Sequence, residues 1–344
     1  MSRIPFWRRL ANAAVGRRPL RLCLALQGGG SHGAFTWGVL DRLLQEDILI
    51  EGISGASAGA LNAAAVVEGW SRDGREGARE SLHRLWQTVS DKSQNSPAQS
   101  TPLDSLLPGW NRDLSPGFLF LSRLTRMASP YELNPSGYNP IIDIAETALD
   151  MDRLNHGSAI RLFVSMTDVR TGELALRRNG GIDARVLAAS ACLPLLFQAV
   201  EIDGRPYWDG GYTGNPPLYP LLFECRAENL YLIQLTPGHC DAAPRRVNDI
   251  VRRAREIAFH ANLARERQFI ELLQQRGAGW LGPDRRRLRL HCIDAGDSMH
   301  DLGGASRMNT EWEFLCHLRD LGRERMTQWL EDGAGRAPRG HDAC

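Results

Sequence analysis

The stretch Gly52 to Val66, which reads GISGASAGALNAAAV, restricts the fold of this chain more than any other. Asp47 to Ile50 precedes it as a predicted strand, and Ala60 to Val67 has the alanine and leucine content of a buried helix. Between them only small residues flank Ser57, in the order Gly-Ala-Ser-Ala-Gly. A turn this tight between a strand and a helix excludes large side chains and leaves the serine hydroxyl exposed. The pattern predicts a nucleophile elbow, with Ser57 facing the positive end of a helix dipole.

A second glycine-rich turn follows the first predicted strand, Leu22 to Gln27. Residues 28–33 read GGGSHG, and Ala34 to Gln45 is a predicted helix. Glycines in this spacing between a strand and a helix are also typical of dinucleotide-binding proteins. In those proteins the next strand ends in an acidic residue that binds ribose, whereas here it ends at the serine turn. We therefore expect both turns to form one site, where the glycine N–H groups face the oxyanion of an acyl-transfer intermediate.

A predicted β-hairpin over Phe197 to Trp208 supplies a third candidate. Its turn is Asp203-Gly204, a strong short-range hairpin signal, and the second strand leads directly into Asp209-Gly210-Gly211. A carboxylate is a poor base at neutral pH unless partial burial raises its pKa. Trp208 and the hairpin are expected to provide that apolar flank, which makes Asp209 a candidate general base.

These three motifs, in this order, resemble those of bacterial patatin-like phospholipases, over about residues 22–222. The resemblance implies a patatin-like fold and an enzyme that hydrolyses lipid acyl esters, of the phospholipase A or lysophospholipase kind, without cofactor or metal. By this resemblance Ser57 is the nucleophile and Asp209 is its base, together a catalytic dyad. The oxyanion hole is implied to consist of Gly28, Gly29 and Gly30. The other motif residues carried over are Gly33, Gly55, Gly59, Gly210 and Gly211.

Two residues of the glycine-rich turn depart from the family pattern. Gln27 stands where many members have aspartate, and His32 where many have arginine. If that arginine polarises the oxyanion loop, a histidine in its place makes the contribution depend on pH.

Composition indicates an ordinary globular protein. The chain has 344 residues, of which 43% are hydrophobic and 24% charged, and its net charge of +1 provides no field that would attract nucleic acid. Predicted buried strands alternate with helices, which favours a three-layer α/β/α fold with a mostly parallel central sheet. We expect one such domain over residues 21–330.

The C-terminal helical part of this domain, residues 245–330, contains two long predicted helices. The first is Val247 to Gln275, and the second opens at a capping box, Thr310 to Glu313, and continues through Leu330. The residues of the first helix that we expect to face the core are Ile250, Ala254, Ile257, Ala261, Ala264 and Leu272.

Three segments differ from the rest in composition. Residues 1–20 form a basic amphipathic segment, either an interfacial helix on an anionic membrane or a frayed extension. Residues 91–140 are rich in serine, asparagine and proline yet carry many apolar side chains, which is typical of a lid over a binding site; packing of the insertion onto the core is the alternative. Residues 331–344 are predicted to be a disordered tail.

The seven cysteines are widely spaced and include no Cys-x-x-Cys pair. We interpret them as reduced thiols, and no apolar run is long enough to span a bilayer, so we expect a cytoplasmic protein. Contact with the inner membrane would then be peripheral. The last predicted strand is Arg287 to Ile293. Its end and the loop after it hold residues with metal-ligand chemistry, namely His291, Cys292, Asp294, Asp297, His300 and Asp301, but their spacing matches no metal site, so we predict polar loop residues.

Three alternatives stay open on the sequence. The first is an α/β-hydrolase that uses a Ser-Asp-His triad, with His239, His260 or His300 as the candidate histidine. The second is a dinucleotide-binding enzyme, and the third is a non-catalytic membrane-associated scaffold. The expected partner is a phospholipid or another acyl ester, and the sequence leaves head group, acyl position and oligomeric state undetermined.

Overall fold

In the computed structural model the first strand, β1, lies inside a sheet between β2 and β7. The structure describes residues 19–93, 110–111, 113, 115–236, 238, 240, 242–275, 288–296, 299 and 302–332. The strands are β1 (Leu20–Leu26), β2 (Ile48–Gly55), β3 (Arg161–Asp168), β4 (Leu174–Arg178), β5 (Val200–Ile202), β6 (Arg205–Asp209), β7 (Asn229–Gln234) and β8 (Arg289–Asp294).

Within the described residues these strands form one eight-stranded sheet in the order β5-β6-β3-β2-β1-β7-β8, with β4 also paired to β3. The pairs among β3, β2, β1, β7 and β8 are parallel. The antiparallel pairs are β3 with β4, β3 with β6 and β5 with β6. Parallel strands need crossover connections, which place helices on the faces of the sheet. The predicted three-layer α/β/α fold with a mostly parallel sheet is confirmed.

Helices cover both faces. They are α1 (Gly33–Leu43), α2 (Ala58–Lys92), α3 (Pro116–Met127), α4 (Pro130–Leu133), α5 (Pro140–Ala148), α6 (Met151–His156), α7 (Ala184–Ser190), α8 (Tyr219–Glu224), α9 (Val247–Gln275) and α10 (Trp312–Glu331). Short 3₁₀ turns occupy Gly30–His32, Gly210–Tyr212 and Ala305–Met308. Among the described helices none has the length and apolar character needed to cross a bilayer.

The side chains of β1 divide the core into two clusters. Leu22, Leu24 and Leu26 are buried on one face, in a large cluster with α1, α2 and α10. Cys23 and Ala25 are buried on the other face, in a smaller cluster with α8 and α9. Because successive side chains of a strand point to opposite faces, a strand buried on both sides reads as a continuous apolar run. Full burial of each leucine contributes about 1.5–3 kcal/mol relative to exposure.

Two predicted boundaries around the serine turn are extended by pairing and packing. The strand predicted at Asp47 to Ile50 continues to Gly55, because residues 52–55 pair with β3. The helix predicted to begin at Ala60 begins at Ala58 and, after non-helical dihedrals at Asp73 and Gly74, continues to Lys92.

Two predictions for the C-terminal part are wrong. Helix α9 has the predicted bounds, but Ile250, Ile257 and Leu272 are 48%, 54% and 52% exposed, so the predicted core face is the outward face. The capping box at Thr310 does not form, since the helix begins at Trp312 without a side-chain cap. The Asn309 side chain accepts the Glu311 N–H (3.0 Å), and this local turn holds the chain outside the helix for one residue more than predicted.

The segments predicted to be irregular are described in part. Between residues 91 and 140 the described residues include α3 and α4, so this insertion is not irregular throughout. Residues 94–109, 112 and 114 lie outside the described residues, as do residues 1–18 and 333–344, where the basic N-terminal segment and the disordered tail are predicted.

Candidate active site

Ser57 lies between the end of β2 and the start of α2 with φ 53° and ψ −127°. A positive φ is strained for a residue with a side chain and occurs where surrounding structure enforces it, often at functional sites. The enforcement here is close backbone packing. A Cβ atom on Gly55 would lie 2.5 Å from the Gly59 carbonyl oxygen, and one on Gly59 would overlap the Leu26 carbonyl oxygen. Both glycines allow the turn to be tight, as the motif predicts.

Asp209 is the last residue of β6 and is only 2% exposed. Its carboxylate accepts the Gly211 N–H (2.7 Å), and the Ser57 hydroxyl lies beside it and favours its ionised form. Burial raises the pKa of Asp209 to about 6, although these two groups oppose the rise. The structure thus brings the predicted nucleophile and the predicted base into contact.

The backbone around Asp209 is held by neighbouring strands. Its N–H donates to the Cys192 carbonyl (2.9 Å), and its carbonyl accepts the Thr167 hydroxyl (2.8 Å). Gly210 packs against the Ser165 carbonyl so closely that a Cβ atom would overlap it. Gly211 lies against the Phe259 ring of α9. These contacts fix the backbone of Asp209, and the Gly211 N–H then orients its carboxylate.

The glycine-rich turn lies directly beside Ser57. A Cβ atom on Gly28 would be 2.8 Å from the Ser57 Cβ, so the two turns form one site, as expected. However, the Gly28 N–H already donates to the Asn215 Oδ1 (2.7 Å). Its hydrogen is therefore not available to an oxyanion. No described residue accepts a hydrogen bond from the N–H of Gly29 or Gly30.

The turn is braced from its other side. Gly30 has φ +60°, and a Cβ atom there would overlap the Arg307 carbonyl oxygen. Gly33 opens α1 next to Ala58, and its carbonyl accepts the Asn62 side chain (3.0 Å). These contacts tie the glycine-rich turn to the first turn of α2, which follows Ser57.

The two departures from the family pattern have structural explanations. The Gln27 Oε1 accepts the N–H groups of Leu235 (2.7 Å) and Thr236 (2.8 Å), which joins the end of β1 to the end of β7. His32 is buried against the Ser306 hydroxyl (2.7 Å). Burial and the positive charge of Arg307 lower the pKa of His32 to about 3. His32 is therefore neutral at physiological pH and adds no charge to the loop.

Two further residues of the site were not found from the sequence. Ser190 accepts the Ser57 N–H on its hydroxyl oxygen (2.9 Å), and Asn215 fixes Gly28. Both lie more than 130 residues from their partners, in segments with no motif. Nothing in a single sequence distinguishes them from other buried polar residues.

No described histidine forms a hydrogen bond with Ser57 or Asp209. His260, on α9, has no partner for its Nδ1, and burial lowers its pKa, as do Arg267 and Arg253. His291 lies 3.2 Å from the Asn229 side chain, at the start of β7 and far from its site end. The candidates His239 and His300 lie outside the described residues.

The described residues hold no group of histidine, cysteine and acidic side chains arranged to bind a metal ion. Five cysteines are free thiols, namely Cys23, Cys192, Cys225, Cys240 and Cys316.

Helix α3, within the predicted lid, has no buried residue and is attached on two sides of the site. Before it, the Asp113 carboxylate accepts the Ala305 N–H (2.8 Å), next to the turn that braces Gly30. After it, the Gln198 side chain donates to the Asn134 carbonyl (2.6 Å). The Gln198 carbonyl in turn accepts a hydrogen bond from the Cys192 thiol (3.1 Å), and the Cys192 carbonyl accepts the Asp209 N–H. The segment that carries α3 therefore connects the two flanks of the site.

Comparison with known proteins gives the following. A model of the patatin-like phospholipase family matches residues 24–222. The VipD structure from Legionella pneumophila is 17% identical, with a TM-score of 0.44, over 92% of this chain and 67% of that one. The ExoU–SpcU complex from Pseudomonas aeruginosa gives 16% identity and a TM-score of 0.39, over 92% of this chain and 52% of that one. The chain thus corresponds to about half of that protein, and no curated protein matches it.

The family match covers more than half of the chain and includes all three motifs. The chain belongs to the patatin-like phospholipase family and is a carboxylic ester hydrolase that acts on lipid acyl esters.

Proposed function

We propose that this enzyme hydrolyses acyl esters of phospholipids with Ser57 as nucleophile and Asp209 as general base, without a histidine between them. The observation that supports this proposal is the position of the buried Asp209 carboxylate beside the Ser57 hydroxyl, which favours the ionised form of that carboxyl and so opposes the rise in its pKa. A base in contact with the nucleophile takes its proton during attack. Burial favours this role, because it raises the pKa of the carboxyl toward the working pH.

The reaction has two halves. The Ser57 oxygen attacks the ester carbonyl carbon while its proton passes to Asp209. The tetrahedral intermediate then collapses, the C–O bond to the leaving group breaks, and the alcohol leaves with the proton from Asp209. In the second half Asp209 takes a proton from water, whose oxygen attacks the acyl-enzyme, and the fatty acid is released with Ser57 restored.

The N–H groups of Gly29 and Gly30 are the donors that bind the oxyanion. We expected three donors, but the Gly28 N–H is bonded to Asn215, so its contribution is to hold the turn against Ser57. Loss of one preorganised donor typically lowers kcat by about 10²–10³-fold. The N–H groups of Gly29 and Gly30 therefore supply a large part of the rate enhancement, in addition to the part supplied by the aspartate base.

Helix α3 is proposed as part of a cover over the acyl chains. Leu119 and Phe120 are exposed on it, and the segment is held on both flanks of the site. An exposed apolar helix of this kind provides a surface for fatty acyl chains.

The function is tested by covalent labelling. A fluorophosphonate forms a bond to an activated serine, so we expect it to label the purified protein at Ser57, located by mass spectrometry of the peptides. The same preparation should release fatty acid from short-chain phosphatidylcholine. Label at another serine would contradict the assignment of the nucleophile, and label at Ser57 without release of fatty acid would contradict the phospholipid substrate.

The pH dependence follows from the raised pKa of Asp209. Only the ionised carboxylate accepts a proton, so kcat/KM of a soluble ester should fall about tenfold for each pH unit below about 6. An unshifted aspartate would place the same fall near pH 4, at its ordinary pKa of about 3.9. His32, with a pKa of about 3, does not account for a fall at pH 6. An acid limb near pH 4 would show that burial does not raise the pKa of Asp209, and the absence of any acid limb down to pH 4 would show that Asp209 is not the base.

A further inference from the structure

Helix α9 presents its apolar side chains to solvent. Val247 is 75% exposed and Phe269 55%, in addition to Ile250, Ile257 and Leu272. Residues three, four or seven positions apart lie on one face of a helix. These positions therefore form a stripe along the outward face, which we call the α9 stripe. It consists of a contiguous part, Val247, Ile250, Val251, Ala254, Ile257 and Ala258, and of Phe269 and Leu272 farther along the same face, with the exposed Arg265 and Gln268 between the two parts.

The opposite face of α9 is attached to the domain largely by polar contacts. The Glu266 carboxylate accepts the N–H groups of Leu218 (2.6 Å) and Tyr219 (2.9 Å) at the start of α8. The Arg253 guanidinium donates to the Gly238 carbonyl (2.9 Å). Leu263 and Ile270 add the buried apolar contacts. These contacts fix the rotation of the helix, so the stripe stays exposed.

This arrangement reverses the usual surface helix, in which apolar residues face the core. A contiguous apolar face on the surface marks a contact with another protein or a membrane, because exposure to water disfavours it.

The stripe borders the candidate active site. The Phe259 ring lies against Gly211, and its centroid is 4.6 Å from that of Tyr212. The Asn262 side chain donates to the Tyr212 carbonyl (3.2 Å). Gly211 in turn holds the Asp209 carboxylate. A surface that docks on the α9 stripe is therefore brought next to the catalytic turn.

The charges beside the stripe indicate what docks there. Arg252, Arg255 and Arg265 are exposed, whereas of the four acidic residues on the helix only Glu271 is exposed. Asp249 forms an ion pair with Arg252 (3.1 Å). In a symmetric pair of α9 helices this face would meet its own copy, and two surfaces whose exposed arginines outnumber their exposed acids disfavour each other. An anionic lipid surface instead accepts both the apolar side chains and the arginines, in the manner of interfacial helices.

We infer that the α9 stripe docks on an anionic phospholipid surface. Docking would deliver lipid to Ser57, and this consequence rests on the proposed function. Docking itself does not require catalysis.

The experiment compares two double variants and a control in sedimentation with vesicles of phosphatidylcholine and phosphatidylglycerol. Ile250→Asp with Ile257→Asp places acids in the stripe, and Ile250→Ser with Ile257→Ser is the milder pair. The control is Leu49→Asp, at a residue 40% exposed near the start of β2, at the end of that strand opposite Ser57. We expect the full-length wild type to sediment with the vesicles, the Asp pair to partition at least about tenfold less, and Leu49→Asp to match the wild type.

The charge contribution is measured separately. Arg255→Gln should weaken vesicle binding by about fivefold at low salt and less at high salt, since an arginine near an anionic surface contributes about 1 kcal/mol. All variants should retain turnover of a soluble ester, which shows that they are folded.

Undiminished sedimentation of the Asp pair, or an equal loss in Leu49→Asp, would overturn the docking surface. A wild-type dimer in size-exclusion chromatography that the Ser pair converts to monomers would assign the stripe to a second copy instead. Failure of the proposed function is a different result, because it removes soluble-ester turnover from the wild type without altering vesicle binding.

Discussion

Ser57→Ala should abolish ester hydrolysis, with kcat reduced on the order of 10⁴–10⁶-fold, because the acyl-enzyme forms only on the Ser57 oxygen. The fold should remain, since alanine keeps a Cβ atom in the same strained turn and loses only the hydroxyl. The measurement is turnover of a soluble short-chain ester, so that lipid binding does not enter. Fluorophosphonate labelling should disappear in parallel.

The matched control for this variant is Ser122→Ala, on the exposed helix α3. Its activity and labelling should equal those of the wild type, and both variants should melt within a few degrees of it. Turnover retained by Ser57→Ala in a preparation free of other esterases would disprove the elbow assignment.

Asp209→Asn should reduce kcat nearly as far as Ser57→Ala, and by at least about 10²–10⁴-fold, the usual contribution of a general base. Asparagine still accepts the Gly211 N–H but does not take a proton. Because the two residues act as one unit, the double variant should be no slower than Ser57→Ala alone. The rates of the two single variants and the double variant, measured on one soluble ester at pH 8, decide this.

Although Asp209→Asn should lower activity, it should not lower the free energy of unfolding at high pH. A raised pKa means that the fold disfavours the ionised carboxylate, so its stabilising contribution is complete below about pH 4 and is lost as the pH rises through about 6. At pH 8 ionisation of this carboxylate has lowered the free energy of unfolding by about 3 kcal/mol. Asparagine is neutral at every pH, so the variant does not suffer this loss. Asp209→Asn should therefore melt no lower than the wild type at pH 8. A large drop in melting temperature would instead attribute the lost activity to unfolding.

The histidines provide the contrast with a triad. His260→Ala and His291→Ala should keep most activity, since neither ring is bonded to Ser57 or Asp209. His239→Ala and His300→Ala are predicted to do the same. If any one of the four costs as much as Asp209→Asn, the enzyme uses a Ser-Asp-His triad and the dyad is wrong.

Much of the fold could be predicted because its signals are local. The run Leu22 to Gln27 predicts a buried strand without reference to any neighbour, and its observed bounds differ by at most two residues. The hairpin at Asp203-Gly204 forms as predicted, with positive φ at both turn residues, because that turn type suits Asp-Gly. Ser57 has a positive φ between glycines that pack against backbone, which is what its motif predicts.

Helix α9 shows where such reasoning fails. Periodicity correctly placed Ile250, Ala254, Ile257 and Leu272 on one face, but it does not state what that face contacts. The assumption that it faces the core was wrong, because Glu266 and Arg253 bind the backbone of neighbouring segments and determine the rotation of the helix. Whether a helix face is buried depends on contacts with distant parts of the chain, and such contacts leave no periodic pattern in the sequence of the helix.

The sequence alone determined the three motifs, the order of strands and helices that carries them, and hence the family and the α/β/α class, because each depends on the character and spacing of neighbouring residues. Only the tertiary structure decided that Asp209 is buried against Ser57, that Asn215 occupies the Gly28 N–H, and that His32 is neutral. Burial, hydrogen bonding and pKa depend on which atoms lie within a few ångströms. Asn215 and Gly28, 187 residues apart, meet only because the loop after β6 returns to the serine turn, where the Ser165 hydroxyl lies within hydrogen-bond distance of the Gly55 and Gly214 carbonyls.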